Sequence, residues 1–218
     1  SRIWFCQIHG VVANAGEICN SLISAGIRPS LPSREFAMNH TPLLALTTIL
    51  ASVTSQADSP FPTLQAREID PHVGNVCYAV TLADVNGDKK PDIVAVTENA
   101  VVWFENPSWQ KHTIIENQTE KDNVCIAPYD VDGDGQIDFA LGASWQPANT
   151  QSGGTIQWLR RGKSLDEKWT VYPISSEPTT HRIRWGDVLG TGKAQLVVSP
   201  LQGRGTKGPN WGEGNGLR

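Results

Sequence analysis

Asp130-Val131-Asp132-Gly133-Asp134-Gly135-Gln136-Ile137-Asp138 decides how this chain folds. Carboxylates stand at positions 1, 3, 5 and 9 of the stretch, with glycines between them at 4 and 6. Hard divalent cations such as Ca²⁺ take six to eight oxygens, and a short loop supplies them only when alternate side chains converge. Glycine lets the backbone turn tightly enough for that convergence. Four clustered carboxylates repel one another unless something neutralises them, so Asp130, Asp132, Asp134 and Asp138 read as candidate calcium ligands. The competing reading is an Asp/Asn/Gly turn that holds itself by local hydrogen bonds and needs no ion.

The pattern recurs. Asp84-Val85-Asn86-Gly87-Asp88-Lys89-Lys90-Pro91-Asp92 repeats it 46 residues earlier, which makes Asp84, Asn86, Asp88 and Asp92 a second candidate ligand set, here with two lysines inside the loop. A third copy, Asp187-Val188-Leu189-Gly190-Thr191-Gly192-Lys193-Ala194-Gln195, begins 57 residues after Asp130. It keeps the glycines but replaces the other ligands by Leu189, Thr191 and Gln195, so the turn is expected without a metal. A helix-loop-helix calcium hand would need a bidentate Glu at position 12; Ala95 and Leu141 stand there, and the runs Ile93 to Val96 and Phe139 to Leu141 read as buried strands.

Around each loop the apolar runs fall in the same order. A candidate first strand precedes it (Val76 to Val80, Val124 to Ala127, His181 to Trp185). A buried second strand follows it, the third copy of which is Leu196 to Val198. In the first two units come an aromatic third strand (Val101 to Glu105, Thr155 to Leu159) and an alternating fourth (Trp109 to Ile115, Trp169 to Ile174). Four-stranded units at this spacing predict an all-β chain, a partial β-propeller of about three four-stranded blades. Closed propellers need roughly four to eight blades, so the chain is expected to be a fragment of a larger propeller, with seven blades the expected total.

The loops and their strands resemble the FG-GAP or VCBS repeat proteins, including the integrin α-chain type of propeller. The resemblance covers residues 70 to 202; it is specific in the first two loops and degenerate in the third. It implies that calcium binds as a structural ion between strands of a blade, and that the functional surface lies elsewhere. The implied role is a scaffold or binding module for carbohydrate or an extracellular protein. The run from His181 to Asp187, with Leu196 to Gly205, resembles the propeller part of aldos-2-ulose dehydratase-type proteins, which are sugar lyases joined to cupin domains. That second resemblance implies a catalytic role for His181 beside a further metal, completed by domains that these residues do not contain. From alternation alone, His181, Ile183 and Trp185 share one face of the strand and Arg182 and Arg184 the other; only one face can meet a central channel. Pairing of the arginines with acidic loops is the plainer alternative.

The N-terminal part differs in character. Met38 is the only methionine, and the apolar run Leu43 to Val53 with the small residues Ser55 to Ala57 behind it reads as a signal peptide over 38–57. That run is too short to span a bilayer, no membrane span is expected, and the chain is expected to be secreted or periplasmic. A buried helix or strand is the alternative. Residues 1–37 read as an upstream segment without regular structure, or a propeptide, and residues 58–218 as the blades. Export would make disulfides possible; Cys77 and Cys125 occupy equivalent places on neighbouring first strands and are expected as two buried thiols, a bond requiring α-carbons within about 7 Å. Asn117-Gln118-Thr119 is a glycosylation sequon. The net charge is −4, and seven of the 22 acidic residues sit in the first two loops. No basic stripe of the kind nucleic-acid binding needs is present, and neither is a phosphate-binding loop, a nucleophile elbow or a zinc-protease motif.

Overall fold

The computed structural model describes residues 3–8, 64–165 and 167–211. The segment 38–57 and most of the upstream residues lie outside that set. The described residues from 67 onward belong to one unit. The described residues contain strands and turns and no helix, so none of them forms a helix long and apolar enough to cross a membrane.

Strand β1 (Ile3–Ile8) pairs with β2 (Leu64–Asp70) in a two-stranded sheet. The segment 1–37 is thus not wholly irregular: Ile-Trp-Phe-Cys-Gln-Ile is rich in β-branched and aromatic residues, which favour a pleated surface. β3 (Cys77–Ala83), β4 (Asp92–Thr97), β5 (Ala100–Glu105) and β6 (Gln110–Glu116) then form a four-stranded antiparallel meander. β7 (Cys125–Tyr129), β8 (Asp138–Ala143), β9 (Thr155–Arg160) and β10 (Thr170–Ser176) form a second one. β11 (Thr180–Gly186) and β12 (Gln195–Pro200) begin a third. The four-stranded unit expected three times is complete twice; the third has two strands among the described residues, because residues 201–211 run on as turns rather than as an alternating apolar segment. These are blade-like sheets in a partial propeller, and among the described residues they do not close into a ring.

Period-two alternation explains how the sheets stack. Along β4, Val94 and Val96 face a cluster with Trp103, Ile114, Phe139, Leu141 and Leu159, which joins the first sheet to the second. Ile93 and Ala95 face the opposite cluster with Val102, Phe104 and Val73. The second sheet does the same: Cys125, Ala127, Ala140 and Ile156 meet Ile183 and Val198 of the third. Strands β4 and β8 are buried along their whole length because both faces are covered, which is why they read as unbroken apolar runs. Trp103 and Phe139 are essentially inaccessible, and burial of a side chain of this size stabilises by about 1.5–3 kcal/mol. On the outer strands polarity returns. Pro173 lies in β10, an edge strand, beside a register shift between Pro173 and Ser175, the setting in which a residue without an N–H is tolerated.

Candidate metal centre

The Asp130 loop joins β7 to β8, and its first residue organises it. Asp130 Oδ1 accepts from the backbone N–H of Gly133 at 2.8 Å and of Asp134 at 3.1 Å, and its Oδ2 accepts from Gly135 N–H at 2.9 Å. To aim those amides inward the chain takes φ of 77° at Gly133 and 83° at Gly135, a region in which glycine carries no steric penalty. The last residue closes the loop: Asp138 Oδ2 accepts from Val131 N–H at 3.3 Å, and Oδ1 accepts from Arg161 N–H at 2.9 Å. Asp138 therefore clamps the start of its loop to the end of β9.

Folding brings carboxylate oxygens of Asp130, Asp132 and Asp138 within 4.8 Å of one another, the one such group among the described residues. Asp134 stands apart from it, accepting from Gln136 N–H at 2.8 Å and from the Gln136 side-chain amide at 3.2 Å. Arg160, a residue that loop spacing could not flag, donates Nε to Asp132 Oδ2 at 2.7 Å, which pushes the arginine's pKa up. Burial pushes the Asp138 carboxyl above its usual range, and the charge of Asp132 adds to that. One arginine thus meets this group, at Asp132, and the buried Asp138 favours neutralisation. The donor set fits a hard cation: it is all oxygen and negatively charged, and carboxylate oxygens carry more than one lone pair.

The Asp84 loop has the same backbone device. Asp84 accepts from Gly87 N–H at 2.8 Å and Lys89 N–H at 2.9 Å, with φ of 81° at Gly87 and 68° at Lys89. Asp92, wholly buried, accepts from Val85 N–H at 2.8 Å and Asn106 N–H at 2.9 Å, and burial pushes its carboxyl up. The other two candidates are engaged differently. Asn86 accepts from Asp88 N–H at 3.0 Å and turns its amide to Glu105 at 3.2 Å, while Lys90 Nζ lies 2.6 Å from Asp88 Oδ2. The hydrogen bonds from Lys90 hold the Asp88 carboxyl below its usual range. An internal lysine supplies positive charge here, and Asp84, Asn86, Asp88 and Asp92 do not converge as the second loop's ligands do.

In the third loop Asp187 accepts from Thr191 N–H at 2.9 Å and Gly192 N–H at 2.7 Å, bonds that hold its carboxyl below the usual range. Gln195 Oε1 takes the place of the Asp138 carboxylate, accepting from Val188 N–H at 3.0 Å and Leu189 N–H at 3.2 Å. The turn survives without the second carboxylate, as its sequence predicts.

His181 lies on β11 stacked on Trp145, ring centroids 5.8 Å apart. Burial, then the neighbouring Arg182 charge, push its pKa below the usual imidazole value. It does not line the cavity of about 250 Å³ bounded by β3, β7 and β11, whose cationic wall is Arg182 and Arg184. The buried Cys125 has a free thiol, so it is not bonded to Cys77, whose Sγ lies 3.8 Å from Ala79 O.

No curated protein matches the chain. The family model of the FG-GAP-like repeat matches residues 84–141, from the first residue of the first loop into β8, so that part of the chain is similar to an FG-GAP-like repeat.

Proposed function

We propose that this chain is an exported, repeat-built binding scaffold whose Asp130 loop takes a structural Ca²⁺, with an extracellular protein or a carbohydrate as the bound partner. The observation that carries the ion is the convergence of Asp130, Asp132 and Asp138 within 4.8 Å, with the family match over both loops in support. The reading for export rests on the apolar run and small residues over 38–57. In the proposed state the cation neutralises the carboxylates that the fold crowds together and braces the β7–β8 connection against β9. Asp130, Asp132 and Asp138 hold it, and Asp134 lies to one side.

Loops of this kind bind weakly, with dissociation constants on the order of 10⁻⁴ M. At 10 mM calcium, roughly a hundredfold excess, the folded state gains about 2.7 kcal/mol, which raises Tm by roughly 5–11 °C in a chain of this size. Asp132→Asn is the informative variant, because Asp132 is exposed and the loop's own bonds centre on Asp130 and Asp138. It should remove the calcium-dependent rise and leave the chelated Tm nearly unchanged. A Tm that ignores calcium, together with elemental analysis finding none in the purified protein, sinks the ion.

A further inference from the structure

We propose that the cavity bounded by β3, β7 and β11 binds a small oxyanion, a carboxylate or phosphate group on a ligand of monosaccharide size or less, gripped by Arg182 and Arg184. The inference deepens the binding-scaffold reading, on which it rests, and is independent of the calcium loop.

Arg182 and Arg184 are two residues apart on one strand, so alternation puts both on the same face of β11. Both line the cavity, whose remaining wall is β3 from Tyr78 to Thr81 with Cys125 and Ile126 of β7. No carboxylate lines it. Elsewhere in the described residues Arg160 pairs with Asp132 and Arg204 with Glu177, while Arg161 donates to the Val85 carbonyl. Arg182 and Arg184 form no ion pair there. Each donates Nη1 to the carbonyl of the preceding residue, His181 and Ile183, at 2.7 Å. That bond uses one donor and steadies the guanidinium, leaving most of a five-donor fork to meet a ligand. A planar fork matches carboxylate and phosphate oxygens two at a time, and two such forks line this one cavity.

The rest of the wall agrees with this. Burial pushes the Cys125 thiol up to about 12 despite the nearby arginines, so it stays neutral and does not compete as an anion. Thr81 adds a hydroxyl, and Tyr78 and Ile126 add apolar surface. A volume of about 250 Å³ lies just under the usual range for ligand pockets, which limits the bound group to about one sugar ring.

The full chain is titrated calorimetrically at low ionic strength with sodium phosphate, sodium glucuronate and glucose. Binding of phosphate or glucuronate but not glucose is expected, and the stronger of the two identifies the oxyanion. R182Q/R184Q should weaken that binding by roughly tenfold or more, since each lost contact is a charge-assisted one. R182K/R184K should keep part of the affinity, because point charge survives where the fork does not. The side-chain hydrogen bonds of both arginines go only to carbonyls of their own strand, so the variants should melt close to the native chain. A native chain that takes up neither anion overturns the inference, as does R182Q/R184Q binding like the native protein. A chain that holds a neutral glycan or a protein but no oxyanion removes this site and leaves the scaffold standing. Oxyanion binding without any macromolecular partner does the reverse.

Discussion

Asp92→Ala removes the acceptor for two backbone amides that make no other hydrogen bond among the described residues. Val85 N–H loses a bond of 2.8 Å and Asn106 N–H one of 2.9 Å. Val85 is fully buried, so its amide bears the desolvation penalty of an unmet donor, about 1–3 kcal/mol. Asn106 is only half-buried and adds about 1 kcal/mol, since water reaches part of it. Deleting a buried carboxylate also relieves the desolvation that raises its pKa, which keeps the total near about 2–3 kcal/mol. At roughly 2–4 °C per kcal/mol for a chain of this size, Tm should fall by about 4–12 °C. Asp92→Asn, with one acceptor oxygen left for one of the two amides, should lose about half as much. Differential scanning calorimetry with 10 mM calcium and with chelator separates this effect from ion binding: the drop should be the same in both, because Asp92 acts through hydrogen bonds. A drop under about 2 °C, or one that vanishes in chelator, would refute the assignment of Asp92 as a backbone clamp.

Two further outcomes follow from packing. Gly154→Ala would place a β-carbon 1.7 Å from the carbonyl oxygen of Glu177, at a φ of 64°, so the Gly154 to Glu177 backbone bond at 2.9 Å must break. A loss of at least about 3 kcal/mol in denaturant unfolding is expected, and a near-native midpoint would contradict the contact. Cys125, buried and with its pKa raised to about 12, should resist alkylation by iodoacetamide at pH 8 until the chain is unfolded; modification of the native protein at the rate of an exposed thiol would contradict that burial.

Much of this was readable from local pattern. Val101 to Glu105 and Thr155 to Leu159 carry their strand signal in the residues themselves, and Gly133, Gly135, Gly190 and Gly192 announce their turns. Gln195 is legible for the same reason: its bonds to Val188 and Leu189 stay within its own loop. What the local pattern does not carry is set by distance along the chain. Arg160 reaches Asp132 across 28 residues, and Arg161 N–H reaches Asp138 across 23; neither pairing has a spacing rule, since both depend on β9 returning beside β8. The position of Asp134 outside the carboxylate group is likewise a matter of side-chain direction, which identity at position 5 does not reveal. β1 is hidden because its partner, β2, lies more than fifty residues later, and alternation places Arg182 and Arg184 on one face without showing that β3 and β7 wall a cavity beside them.

The clamp at the ninth loop position also governs how these blades open. Asp92 ties the β3–β4 loop to the residue after β5, and Asp138 ties the β7–β8 loop to the residue after β9. A loop held this way cannot fray alone: exposing its amides to solvent requires release of the third strand's end as well, so loop and strand form one cooperative unit of exchange. In the third unit Gln195 grips only its own turn. That turn can breathe without disturbing any strand beyond β11 and β12, whereas the two loops that end in aspartate are each tied to a third strand.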